Sequence, residues 1–577
     1  MSLKPWREIA IPHRDVLEET FLQLGFNADI TAVHSGKAAR EYQEATAFFE
    51  RTFLTDGLRA LLIRVARRLV SQGGEPLLWF QAPRGGGKTH ALLAAYHLAN
   101  HHCMLTELIS IPELLDQAEV VDLPRVRMAV LDGAAHTPHQ HWKRGQRIIR
   151  TLWGELAWQL GGEECLSRIL NADATGTSPS KETLHELLES HAPCMILMDD
   201  LVTYIRQLPV GRILSGGSYD SNLSFLGALI EAADQIPTAI VLAALPESAN
   251  DPRGIATLRS LEKIFARTTE RWKLMTSDEV FAIVGCRLFE PILDLAAQDI
   301  ICRAFTKTYE DEGAKFSAET QESRYLERLR RAYPIHPEIF DRFHEDWSII
   351  DGFAGTRGIL KFMAKAIHRL WKENNRDLMI LPGNLPLHDE YVCNDLLDYL
   401  PSGWKIVIEQ DIDGEQAETT KIENHESRFE LVNAARRVAR TIFFGSAACS
   451  VATTDDVHGV DRAHILLGCL QPGQVSSVYL DALEKLCERP SHLKYFDDNL
   501  RKTTSYWYEL QENKKNQRHE PTITPSNSPA RNVNLPLFHE TTEVRAETLM
   551  QFTDKINAAL TANPRAIIKI TLEILEK

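Results

Sequence analysis

Apolar positions recur at helical spacing from the start of the chain to about residue 70. In the run Glu41 to Val70, Phe48, Phe49, Phe53, Leu58, Leu61, Leu62 and Val65 carry that spacing, which predicts helix. Gly73-Gly74 ends it. Pro76 to Gln81 is a continuous apolar run, and a glycine-rich turn then leads into an apolar helix from Thr89 to Leu98. Three more short apolar runs follow: Arg127–Asp132, Cys194–Asp199 and Thr238–Ala244. Such runs predict parallel strands covered on both faces, with helical segments such as Ile148–Leu160 between them. The pattern therefore predicts an α/β core that ends near Ser277.

From Asp278 to Asn375 the pattern is helical, with Ile359–Trp371 clearly amphipathic. Leu381-Pro-Gly-Asn-Leu-Pro386 reads as a linker. Beyond it, helices are predicted at Phe429–Phe443, Arg462–Leu470 and Ser477–Cys487. A hairpin follows, with Lys494–Phe496 and Ser505–Tyr508 flanking a turn at Asp497–Asn499. Three helices and a hairpin match a winged-helix arrangement. Residues 513–535, rich in Asn, Pro, Ser and Thr, read as a flexible linker. The expected division is an N-terminal helical segment (1–70), an α/β core (71–277), a helical lid (278–376), a winged-helix-like α+β module (387–512), the linker, and a helical tail (536–577). No internal repeat is visible.

The 577 residues are 44% apolar and 25% charged, ordinary globular usage, and suffice for about three or four domains. With 64 basic and 79 acidic side chains the net charge is −15, which excludes a whole-protein electrostatic footprint for nucleic acid. The apolar runs fall short of the ~18–20 residues of a membrane span, and the N-terminus has no signal core. The nine cysteines form no Cys-x-x-Cys pair, against a disulfide framework or thiolate zinc site. These features predict a cytoplasmic protein of a reducing compartment, with no membrane partner.

The sharpest chemical signal is Ala82-Pro-Arg-Gly-Gly-Gly-Lys-Thr89 between the first strand and its helix. Gly-x-x-x-x-Gly-Lys-Ser/Thr wraps backbone N–H groups around a polyphosphate, here with Ala82 in place of the first glycine. Gly85, Gly86 and Gly87 give the backbone freedom, Lys88 would reach the β- and γ-phosphates of ATP, and Thr89 would hold Mg²⁺. An apolar strand ending in Asp199-Asp200 supplies the second element. Asp199 would hold the metal through water, and Asp200 would polarise an attacking water as a catalytic group. Arg357, at the start of the amphipathic helix, is the candidate cation for the γ-phosphate. Ser248 is a candidate first-sensor group or an ordinary loop serine. Arg259, Arg267 and Arg271 are candidates for an arginine acting in trans or plain solvated charges.

Three signals carry less. Glu409-Gln-Asp411-Ile-Asp413-Gly414 opens like a calcium loop, but Thr420 stands where the bidentate glutamate belongs. The seven acids from Glu409 to Glu426 then read as a solvated edge. His101-His102-Cys103 lacks partners at metal spacing. Arg436, Arg437 and Arg440 form a compact basic stripe, either a contact for phosphates or a solvated face. The hairpin aromatics Tyr495, Phe496, Tyr506, Trp507 and Tyr508 suit protein contact as well as nucleic acid.

Several stretches together resemble the bacterial ATP-binding proteins of domain-of-unknown-function family 499. They are Lys4-Pro-Trp-Arg-Glu-Ile9, Asp15-Val-Leu17, Asp29-Ile-Thr-Ala-Val-His34, Gly85-Gly-Gly-Lys-Thr-His90 and Thr151-Leu-Trp-Gly-Glu-Leu-Ala157. They continue with Tyr333-Pro-Ile-His-Pro-Glu338, Thr356-Arg-Gly358, Asp411-Ile-Asp-Gly414, Arg437-Val-Ala-Arg-Thr-Ile442, Leu467-Gly-Cys-Leu-Gln-Pro472 and Tyr506-Trp-Tyr508. The likeness covers roughly residues 4–510. It implies a P-loop ATPase of AAA-like or origin-recognition-like build, with His90 part of the nucleotide-binding motif. Members are often encoded beside DNA methyltransferases and helicases in bacterial defence islands. The resemblance therefore implies DNA or a DNA-bound complex, a methyltransferase or helicase, and a second copy of the chain as partners, with anti-phage defence as the setting. Asp199-Asp200 departs from the usual Asp-Glu pair. The expected function is an ATPase driving or gating a DNA-associated complex. The alternatives are a nucleotide-gated scaffold with little hydrolysis and a DNA translocase.

Overall fold

The computed structural model describes residues 3–20, 26–100, 104–269, 271–276, 279–350, 353, 355–451, 459–498 and 503–510. The expectations for His101–Cys103, the 513–535 linker and the C-terminal tail lie outside these residues. The fold is mixed α/β, with one parallel four-stranded sheet and many helices. Among the described residues no helix is long and apolar enough to cross a membrane.

In chain order the strands of the first half are β1 (Leu77–Ala82), β2 (Arg127–Asp132), β3 (Trp142–Arg144), β4 (Arg147–Ile149), β5 (Cys194–Asp199) and β6 (Ala239–Pro246). The main sheet runs β1-β6-β5-β2, all parallel, and Trp272 bridges to Phe80 on the free side of β1. Every residue of β5 is buried, as its unbroken apolar run requires. Helices Asp56–Leu69, Lys88–Ala99 and Ile111–Ala118 cover one face; Leu152–Thr175, Lys181–Glu189, Tyr219–Asp234 and Pro252–Phe265 cover the other.

The helical stretches near this sheet differ from the periodicity. Glu41–Val70 forms three helices, Arg40–Gln43, Ala45–Glu50 and Asp56–Leu69. The last starts anew because Thr55 caps it: its hydroxyl accepts the Leu58 N–H and donates to the Leu274 carbonyl. The helix expected from Ile148 starts at Leu152. Arg147–Ile149 pairs antiparallel with Trp142–Arg144, and Thr151 caps the helix by accepting the Gly154 N–H.

A separate core joins the helices from Val280 onward to everything described up to Tyr508. The expected helical lid and α+β module therefore share one interior. The N-terminus belongs to it as well: Trp6, Ile9, Ala10, Val16 and Phe26 pack there, whereas Ile30 to Leu69 pack on the sheet. The backbone thus passes between the two bodies twice, near residues 26–30 and 274–281.

Leu381–Pro386 is not a linker. Met379, Ile380, Leu381 and Leu385 are fully buried, and Asn384 turns the chain by accepting the Leu381 N–H. Gly383 lies against the helix Ala434–Ser446, where a Cβ would sit 2.9 Å from the Gly468 carbonyl oxygen. That helix, Arg462–Cys469 and Ser476–Cys487 pack with a small antiparallel sheet. Its strands are β7 (Val460–Asp461), β8 (Leu493–Asp498) and β9 (Thr503–Tyr508), in the order β7-β9-β8.

The basic stripe and the acidic stretch neutralise each other. Arg440 makes two bonds to Asp413, at 2.7 and 2.8 Å, and Arg437 bonds Asp377 at 2.6 Å. Arg436 pairs with Asp413 and Glu423. Arg437 and Arg440 are buried, so the stripe is not a solvated face; of the acids Asp411 and Glu423 are buried while Glu409 and Glu415 are exposed, so that stretch is a solvated edge only in part.

Candidate functional site

β1 delivers the glycine loop to the carboxyl end of the sheet. Gly85 (φ 80°) and Gly87 (φ 81°) adopt the left-handed conformation, and Gly87 caps the helix Lys88–Ala99. That helix therefore directs its first N–H groups at the loop mouth, a ready site for an anion. Lys88 folds back on the loop, and its Nζ donates to the carbonyls of Ala82 and Pro83, both at 2.9 Å. Burial pulls the Lys88 ammonium below its usual range, against the opposing pull of Asp199 and Asp200.

β5 delivers the acids. The Thr89 hydroxyl donates to Asp199 Oδ2 at 2.5 Å, joining loop and strand. Asp199 is buried, and that burial pushes its carboxyl up to about 7, although the Thr89 bond favours the charged form. Asp200 turns out of the strand with φ 48°, and its N–H bonds back to Asp199 Oδ1 at 3.0 Å. Desolvation, then the charge of Asp132, raises the Asp200 carboxyl.

Asp132 is the acid that sequence reading missed as a site residue. It ends β2 and is the direct partner of Asp199 in the β2–β5 register. Thr31 donates to its Oδ2 at 2.7 Å, and the Ala134 N–H to its Oδ1 at 2.8 Å. The run Arg127–Asp132 ends in an acid just as Cys194–Asp199 does, but only strand order places Asp132 beside Asp199.

The second body closes the loop from above. Gly355, with φ 85°, is so near that a Cβ there would lie 2.8 Å from the Arg84 carbonyl oxygen and 2.9 Å from the Gly85 carbonyl carbon. The helix Thr356–Lys372 begins at this point, and Arg357 lines a cavity with Gly85, Gly86, Gly87, Lys88 and Thr89. This cavity is partly open to solvent. Its far wall is apolar, from Phe26, Phe53, Leu58, Ile283 and Leu360. Arg287, also unforeseen, enters that wall between Phe26 and Tyr42, with its guanidinium bonded to Glu41 at 2.6 Å.

His90 lines the same cavity, but its polar edge is committed elsewhere. The Thr52 hydroxyl donates to the Phe48 carbonyl at 2.6 Å, so Thr52 Oγ1 accepts from His90 Nε2–H at 3.0 Å. Burial lowers the imidazole to about 3, so the ring is neutral. Its ring lies 4.5 Å from that of Phe48, and it anchors the loop helix to Ala45–Glu50. Ser248 is exposed and lines neither of the two cavities described at the glycine loop; its neighbour Glu247 bonds the Ala82 carbonyl through its N–H. Arg259 and Arg267 are exposed, and Arg271 bonds Gln81 at 3.0 Å.

Family models match the chain twice: the DUF499 N-terminal domain over residues 6–266 and the DUF499 second domain over residues 275–508. The chain belongs to the DUF499 family. No curated protein matches it. The division between the two DUF499 domains, between residues 266 and 275, falls beside the glycine loop. Leu274 and Met275 line the cavity that holds Arg357, and Arg271 to Thr276 line a second cleft that Ala82, Pro83 and Gly86 share.

The donor set fits a magnesium–polyphosphate. A hydroxyl and a carboxylate are hard oxygen ligands, and Mg²⁺ characteristically takes few protein ligands and completes its shell with water and phosphate. Among the described residues no group of three or more His, Cys, Asp or Glu is placed to hold a metal by itself. Lys88, now satisfied by two carbonyls of its own loop, has partners that phosphate oxygens could replace.

Proposed function

We propose that this DUF499 chain binds Mg-ATP on the glycine loop and hydrolyses it, driving or gating a DNA-associated complex. The observation that carries the reading is the Thr89–Asp199 hydrogen bond of 2.5 Å at the mouth of a loop with two left-handed glycines. Bound Mg²⁺ would neutralise phosphate charge between Thr89 and Asp199. The loop N–H groups and Lys88 would hold the phosphates. Asp200 would orient the attacking water and take its proton. Arg357 would face the γ-phosphate, and its helix would tie nucleotide state to the second body.

The sheet order β1-β6-β5-β2 and the overlying helices support an AAA-like core and lid. Three helices with a three-stranded antiparallel sheet over 434–508 support a winged-helix module. Because its arginines are paired internally, that module suits a protein contact better than a phosphate backbone. A DNA methyltransferase or helicase, a second copy of the chain, and a cytoplasmic role in anti-phage defence complete the proposal. The net charge of −15 and the paired arginines count against a DNA translocase.

The test is ATP turnover by the purified chain with and without duplex DNA, beside Lys88→Ala. Turnover lost in the variant supports the ATPase, and stimulation by DNA supports the DNA-associated setting. The second reading, a nucleotide-gated scaffold, is favoured by the short, left-handed Asp200; ATP binding without turnover would select it. No binding at all would refute both.

A further inference from the structure

We propose that the end of β2, Asp132-Gly133 braced by Thr31, positions Asp200 for hydrolysis; this rests on the ATPase reading above. Asp200 has a backbone conformation that L-residues rarely adopt, at φ 48°. Such a conformation costs energy and persists only when the surroundings hold it. The surroundings here are the backbone after β2. The Gly133 N–H donates to the Asp199 carbonyl at 2.9 Å. A Cβ on Gly133 would collide with the Asp200 carbonyl oxygen, and would lie 2.8 Å from its carbonyl carbon and 3.0 Å from Tyr204 Cβ. Only glycine lets β2 approach this closely.

The Asp200 carbonyl is itself engaged. It accepts the Thr203 N–H at 2.9 Å and so opens the short helix Leu201–Ile205. The residue can therefore neither slide along the strand nor rotate without losing that turn. Gly133 fixes it from the side. Asp132, in turn, is held at both oxygens, by Ala134 on its own chain and by Thr31 from the helix Ile30–His34. The brace thus runs from Thr31 through Asp132 and Gly133 to Asp200, and it gives a role to the Asp29–His34 stretch that marks the family resemblance. These are positioning residues; none is required to touch the nucleotide.

The experiment compares Gly133→Ala and Thr31→Val with the unaltered chain and with Lys88→Ala. It measures kcat, KM, ATP affinity with a fluorescent ATP analogue, and thermal stability. Gly133→Ala should lower kcat about tenfold or more, with ATP affinity within about twofold. Thr31→Val, which removes only one hydroxyl, should lower kcat about threefold or more with the same unchanged affinity. Adding Asp200→Asn to either variant should cost no more than Asp200→Asn alone, because both act through one group. An unchanged kcat in Thr31→Val overturns the proposal even if Gly133→Ala fails to fold. In Thr31→Val, a kcat loss that follows reduced ATP affinity or reduced thermal stability also overturns it. If the unaltered chain and Lys88→Ala bind ATP equally poorly, the ATPase reading itself fails and the inference falls with it.

Discussion

Arg357 donates its backbone N–H to the carbonyl oxygen of Gly85 across 3.3 Å, so a helix of the second DUF499 domain begins on the glycine loop of the first. The approach is possible because Gly355, two residues earlier at the start of the helix, has no side chain to meet the loop. Loop geometry and the seating of the second domain are therefore set by one contact.

Gly355→Ala should break that seating. It adds a Cβ 2.8 Å from the Arg84 carbonyl oxygen at a φ of 85° that alanine resists. ATP affinity should fall about tenfold, measured by fluorescent-nucleotide titration. Gly227→Ala, where nothing lies within 4 Å of the added carbon, is the control and should bind as the unaltered chain does.

Asp200→Glu should not raise ATP turnover, although glutamate is the usual residue of such pairs. Aspartate tolerates left-handed backbone better than glutamate, so the exchange should cost about 1 kcal/mol in urea denaturation and lower turnover. Asp200→Asn keeps the backbone fit. It should not lower the urea midpoint at neutral pH, since it removes a carboxyl that burial and Asp132 penalise, while turnover falls about a hundredfold.

Asp199 makes the metal-free protein sensitive to pH. Its carboxyl rises from 3.8 to about 7 in the folded state, so between those values the folded protein holds a proton that the unfolded chain has lost. Stability from this group is complete below pH ~4 and is lost as pH rises through ~7. In metal-free urea denaturation at pH 8, Asp199→Asn should be the more stable form, by at most about 4 kcal/mol, and at pH 4 the difference should vanish. Holding magnesium with its phosphates calls for the ionised carboxylate, so Mg-ATP affinity of the unaltered chain should fall by up to about tenfold per pH unit below 7, measured by calorimetry.

Asp413→Asn should strand Arg440, whereas Arg436 keeps Glu423. Arg440 bonds both Asp413 oxygens, and Arg436 lies at 3.3 Å. Removing one partner of a buried pair leaves an uncompensated charge, so the urea midpoint should report a loss of about 3 kcal/mol.

The sheet was legible in the sequence because parallel strands buried on both faces leave unbroken apolar runs. Arg127–Asp132 and Cys194–Asp199 are found with the bounds their composition suggests. The glycine loop was legible because its residue types follow from local backbone needs. What pattern could not supply was pairing over distance. Arg436, Arg437 and Arg440 have the spacing of a helix face, and their counter-charges at Asp377, Asp413 and Glu423 lie 13 to 60 positions away. Leu381–Pro386 carries the proline and glycine of a linker, yet its side chains serve a core that joins Trp6–Phe26 to residues far along the chain, up to Tyr508. Asp132 required a strand register, and Gly355 required a contact between domains.

The two passages of the backbone between the bodies have a mechanical meaning. Phe26 and Ala28 belong to one passage, Leu274 and Met275 to the other, and all four line the cavity beside the glycine loop. The same cavity is lined by the glycine loop and by Arg357 at the start of the second domain's helix. A ligand seated there therefore touches both connections and both bodies at once, and any shift between the bodies changes the walls that hold it.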